Sequence, residues 1–325
     1  MSEPGPADRR GRAAKRRTPA WRRALVTVGL ALSGTAGILV IMGRLGWLEH
    51  ALVYHPLDRG FTTPAGVEDV RFATTDGLTL HGWFIPAEGV DGPAPTVLHA
   101  HGNAGSVADH APFSAWLADE GYNVFLFDYR DYGRSDDAPR LRHREDFIAD
   151  AHAALDALLE RDDVDPDRIA LLGVSLGAVL GGGMAAERDQ IRAAVLVAGF
   201  ATWKGIAGDV LPVIGPLAMP GGRDLEDAVA RFGDRPVLVV HGDADPVVGP
   251  RHAERIARAA RDAGVPVETH IEPGGDHNTL LVAFPETREA ILDFLVRTLK
   301  KDRSLERHRT PETDRTPGGK PADRE

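Results

Sequence analysis

The chain has 325 residues, a formal charge of −10 and 43% apolar residues, enough to bury a core of normal size in one large domain. It contains no cysteine, which excludes disulfides, thiolate nucleophiles, cysteine-based zinc sites and lipoprotein acylation. The charge is uneven: residues 1–23 hold eight basic side chains against Glu3 and Asp8, and the acidic remainder argues against nucleic acid as a partner.

After that basic arm comes Ala24–Gly43, an uncharged, mostly apolar stretch of 20 residues. As a helix it would extend about 30 Å, the thickness of a bilayer's hydrocarbon core. The basic cluster lies immediately on its N-terminal side, and Trp21 and Trp47 bracket it where interfacial aromatics belong. This pattern predicts a single-pass transmembrane anchor, with the N-terminus cytosolic and the bulk of the chain on the extracytoplasmic side. Two other readings compete. A cleaved signal peptide, leaving a secreted protein, would use Ala24–Leu32 as its apolar core and a small-residue site near Gly34-Thr35-Ala36. A buried helix of a soluble domain is the other. The apolar run continues through Ile38–Met42, longer than a signal core needs, and the abutting basic cluster opposes burial. Residues 44–66 read as a linker.

From residue 67 strands and helices alternate. Val67–Thr74 and Leu78–Pro86, joined by Thr75-Asp76-Gly77, read as an antiparallel hairpin. Thr96–Ala100 reads as a buried strand, Val107–Glu120 as a helix, Asn123–Phe127 as a strand and Arg142–Glu160 as a helix with apolar periodicity. Ile169–Leu172, Ala193–Val197, Val237–Val240 and Val267–Ile271 are further strands. Helices are expected directly behind the first of these, at His252–Ala263 and at Phe284–Leu299. Residues 200–235 break the rhythm with Pro and Gly and leave room for a small cap. The tail, residues 300–325, is charged and almost without large apolar residues, which predicts disorder. The alternation predicts an α/β domain over residues 67–299, a mainly parallel central sheet with helices on both faces.

Gly173-Val174-Ser175-Leu176-Gly177 joins one of these strands to its helix. In a G-x-S-x-G turn the serine takes strained backbone so that Oγ projects above the sheet, and the glycines remove side chains that would collide. Such a nucleophile needs a base, and only histidine titrates near neutrality without unusual help. Of thirteen histidines, His277 is best placed, in a loop beyond the last strand. His270 falls within that strand and is expected to pack, whereas His152 and His252 are expected on solvated helix faces. For the orienting acid, Asp243 and Asp245 both stand in the loop after Val237–Val240, and either could hold the imidazole. The loop His101-Gly102-Asn103-Ala104-Gly105 offers an oxyanion site, with the backbone N–H groups of Asn103 and Leu176 as donors and His101 as a brace. The order Ser175, Asp, His277 is that of α/β-hydrolases.

These marks, with Leu52-Val53-Tyr54-His55-Pro56 and Asp128-Tyr129-Arg130-Asp131-Tyr132-Gly133-Arg134-Ser135, make the chain resemble the α/β-hydrolase superfamily over about residues 45–300. It is most similar to its membrane-anchored bud-emergence type and to abhydrolase-domain proteins that include protein depalmitoylases. The resemblance implies the α/β-hydrolase fold, Asp245 as the acid, and a bracing role for the Asp128–Ser135 loop. Position 131 is Asp where the pattern usually has Gly. The expected activity is hydrolysis of esters or thioesters of small-molecule or lipid-like acyl compounds, with no metal or organic cofactor required. A serine peptidase or amidase of the same fold is the nearest alternative, and a catalytically silent binding protein the next.

Overall fold

Two helices and a short strand lead into the domain: α1 (Ala20–Arg44), α2 (Trp47–Val53) and β1 (His55–Pro56). This computed structural model describes residues 19–44, 46–56, 60–139 and 141–299. Most of the basic arm and the tail expected to be disordered lie outside the described residues. Within α1, Thr27–Arg44 is apolar enough to cross a membrane, with a mean hydropathy of 1.4. Only 6% of that window is buried against the rest of the protein, so it is not the core helix of a soluble domain.

The hairpin forms as expected, with β2 (Glu68–Ala73) antiparallel to β3 (Thr79–Ile85) and Phe72 opposite Leu80. There follow β4 (Ala94–Ala100), the two-residue β5 (Ala104–Gly105), β6 (Asn123–Asp128), β7 (Val164–Val174), β8 (Ile191–Val197), β9 (Val237–Gly242) and β10 (Val267–Glu272). Eight of these make one sheet in the order β10-β9-β8-β7-β4-β6-β3-β2, with only β3 running against the others. The central strands are buried on both sides, which is why they read as continuous apolar runs. Alternate side chains feed two cores. Leu98, Phe125, Phe127 and Leu171 face one; Val97, Val124, Leu126 and Leu172 face the other.

The helices distribute accordingly. α4 (Arg144–Leu159), α5 (Leu176–Ala185), α8 (Leu225–Val229) and α9 (Arg251–Asp262) cover the first core, and α11 (Pro285–Leu299) the second. The single helix expected over Val107–Glu120 is absent. Its place is taken by α3 (Val107–His110) and two 3₁₀ turns, Ala111–Phe113 and Ala115–Leu117. Pro112 supplies no N–H to a continuing ladder, and the buried Ser114 hydroxyl bonds to His99 Nδ1 at 2.7 Å. Between β8 and β9 the chain leaves the sheet to form α6 (Trp203–Val210), α7 (Ile214–Ala218) and α8, and a short α10 (Leu280–Ala283) precedes α11. The stretch read as a linker contains α2 and β1, and β1 pairs in parallel with β5, His55 opposite Ala104 and Pro56 opposite Gly105.

Candidate active site

β7 runs into Ser175, and the chain turns at once into α5, whose first residue is Leu176. Ser175 holds φ 54 and ψ −114, a region that costs a residue with a Cβ about 1–3 kcal/mol. Backbone bonds enforce it: Ser175 N–H donates to Val197 O at 2.8 Å, and Ala178 N–H to Ser175 O at 3.1 Å. Space dictates both glycines. A Cβ on Gly177 would lie 2.0 Å from Ala100 O, and one on Gly173 2.6 Å from Ala178 Cα.

His277 Nε2 lies 2.9 Å from Ser175 Oγ, and its Nδ1 lies 2.7 Å from Asp245 Oδ2. An ionised carboxylate only accepts, so Nδ1 carries the proton and Nε2 is left to accept from the serine hydroxyl. The other carboxylate oxygen of Asp245 accepts the N–H groups of Val247 and Val248 at 2.8 and 2.9 Å. Burial alone would raise this carboxyl's pKa. The His277 bond and the two backbone donors outweigh it and hold Asp245 below the ordinary carboxylate value.

Asp243 faces elsewhere: its Oδ1 accepts Gly274 N–H at 2.7 Å, tying the β9 loop to the β10 loop. The two loops also meet backbone to backbone, since a Cβ on Gly242 would fall 2.0 Å from Gly275 O. Asp276 Oδ1 then accepts the N–H groups of Asn278 and Thr279 at 2.8 and 3.0 Å, turning the chain just past His277.

Across from the serine, Asn103 and Gly102 line one cavity of about 740 Å³ together with Ser175, Leu176 and His277. Leu176 heads α5, where the N–H groups of the first turn have no acceptor inside the helix. Asn103 Oδ1 accepts from His55 N–H at 3.2 Å and from Tyr132 Oη–H at 3.4 Å. The loop is therefore held from the β1 side as well as from β4. His101 is buried beneath it, donating from Nδ1 to Gly102 O at 2.7 Å, with its ring 4.6 Å from Tyr129 and 5.1 Å from His110. Burial, helped by His110, pushes its pKa down to about 4, so it is a neutral brace.

The remaining expectations fare unequally. Asp128 Oδ1 accepts Val107 N–H at 2.8 Å, and its Oδ2 lies 2.7 Å from His81 Nδ1, so this loop braces the sheet. Asp131 takes a left-handed φ of 67, where glycine is easiest, and is held by Ala138 N–H at 2.8 Å and by Arg142. His270 is half-buried against Glu272 at 3.0 Å, and His152 lies 3.2 Å from Glu187. His252 is a correction. It is buried, not solvated: Nδ1 accepts Ala201 N–H at 3.1 Å and Nε2 donates to Asp209 Oδ2 at 2.9 Å. Asp209 belongs to α6, 43 residues away in the chain, and helical periodicity gives no sign of it.

The apolar residues of the 200–235 cap, which could equally have shaped an acyl pocket or packed as core, line the cavity through Trp203 and Ile206 of α6. The walls that went unread in the sequence are Leu39 and Gly43 of α1 and Glu49 and Val53 of α2. Glu49 pairs with Arg144 in a buried ion pair. Arg144 also donates to Gly222 O at 2.7 Å and stacks 4.0 Å over the Trp203 ring, so α2, α4 and the α6–α8 segment are locked together.

The prolyl oligopeptidase family matches residues 112–302. The chain is 34% identical over 261 residues to the uncharacterized protein YfhR of Escherichia coli, covering 76% of this chain and 87% of that one. It is 32% identical over 282 residues to alpha/beta hydrolase domain-containing protein WAV2 of Arabidopsis thaliana, covering 78% and 89%. Among solved structures, the Pyrococcus furiosus esterase Pf2001 is similar with a TM-score of 0.63 and 22% identity, covering 76% of this chain and 98% of that chain. The last likeness is one of fold.

Proposed function

The chain belongs to the prolyl oligopeptidase family, within the α/β-hydrolase superfamily, and is a serine hydrolase; from that premise we propose that it is anchored in a membrane by Ala24–Gly43 and cleaves carboxylic esters or thioesters through an acyl-enzyme on Ser175. One observation carries the assignment of roles: the unbroken hydrogen-bonded run from Ser175 Oγ through His277 to Asp245, at 2.9 and 2.7 Å, at the edge of an apolar cavity.

His277 Nε2 takes the Oγ proton as Oγ attacks the substrate carbonyl carbon. Asp245 holds the Nδ1 tautomer and stabilises the imidazolium that forms. The N–H groups of Asn103 and Leu176 receive the oxyanion, and a missing donor costs about 3–4 kcal/mol in barriers of this kind. The tetrahedral adduct collapses as His277 returns its proton to the departing alcohol or thiol. Water then attacks the acyl-Ser175 carbonyl with His277 again as base, releasing the acid and restoring the hydroxyl.

The apolar lining (Phe200, Trp203 and Ile206 beside Ser175) supports an acyl chain as the bound part, which favours esters and thioesters over peptide amides. The basic arm supports an orientation with residues 1–23 cytosolic and the catalytic domain extracytoplasmic. A fluorophosphonate probe is expected to label wild-type protein at Ser175 and to leave Ser175→Ala and His277→Ala unlabelled. Wild-type protein that never labels, or His277→Ala with undiminished ester turnover, ends this reading. Faster turnover of peptide amides than of esters would replace it with the peptidase alternative.

A further inference from the structure

The segment between β8 and β9 carries a patch of exposed apolar side chains at its tip. Val210 is 79% exposed, Val213 75% and Leu217 53%. Val213 is also a β-branched residue at φ 70, a conformation that shape strongly disfavours, so the chain presents it outward at a conformational cost. Water is a poor solvent for such a group of residues, and the contacts of α7 indicate what covers them.

α7 sits directly against the C-terminal end of α1. Gly43 meets Ala218 so closely that a Cβ on Gly43 would lie 2.4 Å from Ala218 O, and Arg44 Nε donates to Leu217 O at 3.1 Å. Deeper contact exists as well. Leu39 of α1 shares the walls of the catalytic cavity with Val210, Leu211 and Ile214. Leu39 lies five residues inside the end of α1, about 7–8 Å along its axis. The tip of the α6–α7 segment therefore stands at a level that α1, when it spans a membrane, places within the hydrocarbon edge.

We propose that this tip is a second membrane-contacting element: Val210, Leu211, Val213 and Leu217 dip into the leaflet that holds the C-terminal end of α1, and the Ser175 cavity, lined by Val210 and Leu211 but not by Val213 or Leu217, opens there onto acyl chains. The occupant of the patch is the lipid bilayer itself, and the substrate is an ester or thioester whose acyl chain enters sideways from the leaflet. This rests on the hydrolase and anchor readings above.

The cysteine-free chain makes a direct test available. Full-length Val213→Cys, labelled with an environment-sensitive fluorophore and reconstituted in phosphatidylcholine vesicles, is expected to shift to the blue and to be quenched by shallow nitroxide-labelled lipid. Asp262→Cys, at the C-terminal end of α9, supplies the aqueous reference, because a crossover helix runs back to the far edge of a parallel sheet. A Val213 probe as wet and unquenched as the Asp262 probe overturns the proposal. As a second readout, Val213→Asp with Leu217→Asp is expected to lower turnover of a long-chain ester held in the vesicles about ten-fold, the equivalent of losing one buried aliphatic contact. Turnover of a water-soluble acetate ester is expected to be unchanged, as neither side chain lines the cavity. Equal turnover of the vesicle ester by both proteins also overturns it. Wild-type protein inert toward both esters would strike the hydrolase reading instead, and protein stripped from vesicles by alkaline carbonate would strike the anchor.

Discussion

Asp245→Asn is the sharpest probe of the site, because the structure fixes which way the new amide must face. In the native protein Oδ1 accepts two backbone N–H groups, from Val247 and Val248, at 2.8 and 2.9 Å. An asparagine keeps those bonds only by placing its single oxygen there, since an NH₂ would oppose two donors. Its NH₂ must then point at His277 Nδ1, 2.7 Å away in the native geometry. That interaction needs Nδ1 as acceptor, which puts the imidazole proton on Nε2, facing Ser175 Oγ. The base is then protonated where it should accept. A wrong tautomer of this kind lowers kcat by about 10⁴-fold, or about 5 kcal/mol of barrier. Asp243→Asn leaves the tautomer alone and weakens one loop bond to Gly274 N–H, so its expected cost is under about ten-fold. The assay is kcat for a soluble ester alongside the rate of fluorophosphonate labelling, with circular dichroism to confirm folding. An Asp245→Asn enzyme within ten-fold of wild type, or an Asp243→Asn enzyme equally disabled, would refute the reasoning.

Two further outcomes follow from packing and charge. Gly177→Ala places a Cβ 2.0 Å from Ala100 O and 2.5 Å from His101 O, both backbone, and is expected to cost about 3 kcal/mol or more. Gly183→Ala on the same helix meets only the Ile148 side chain at 3.1 Å and is expected to stay within about 1 kcal/mol of wild type. Equal denaturant midpoints for the two variants would contradict the elbow argument. Burial lowers the pKa values of His99, His101 and His110, that of His101 to about 4. Their folded forms refuse a proton that the unfolded chain accepts below about 6.5, so stability is complete above that pH and falls as the solution is acidified toward 4. His101 alone amounts to about 3 kcal/mol at the lower limit. Unfolding free energies that match at pH 7 and pH 5 would show that these rings are not held neutral.

Much of this arrangement was legible in the chain because each piece is local. The glycines around Ser175, the loop that carries His277 and the Asp243–Asp245 loop announce themselves within a few residues. The strands were legible for the same reason, as apolar runs ended by turn residues. Partnerships between distant segments were not. His252 looked like a surface residue of a helix, and only folding of α6 over α9 gives it Asp209. The helix expected over residues 107–120 failed at a proline whose effect the surrounding apolar spacing concealed. The residues of their own loop left Asp243 and Asp245 open, and the family resemblance pointed to Asp245; the contacts that separate the two come from the loop after β10.

The short parallel pairing of β1 with β5 has a consequence for how the protein meets its substrate. From the end of α1 the chain passes through a tight turn at Gly46, α2 and His55–Pro56, and that last pair is bonded to the loop holding Asn103. A domain on a flexible leash would search a volume; with the proposed anchor this one is planted. With α1 in a bilayer, the height and tilt of Ser175 above the lipid are set by the same few residues that hold the Asn103 loop. Encounter with substrate becomes a two-dimensional search by lateral diffusion, confined to the membrane in which the helix stands. Slack inserted between Val53 and His55 would free the domain to reach farther, and it would loosen the loop that makes the reach useful.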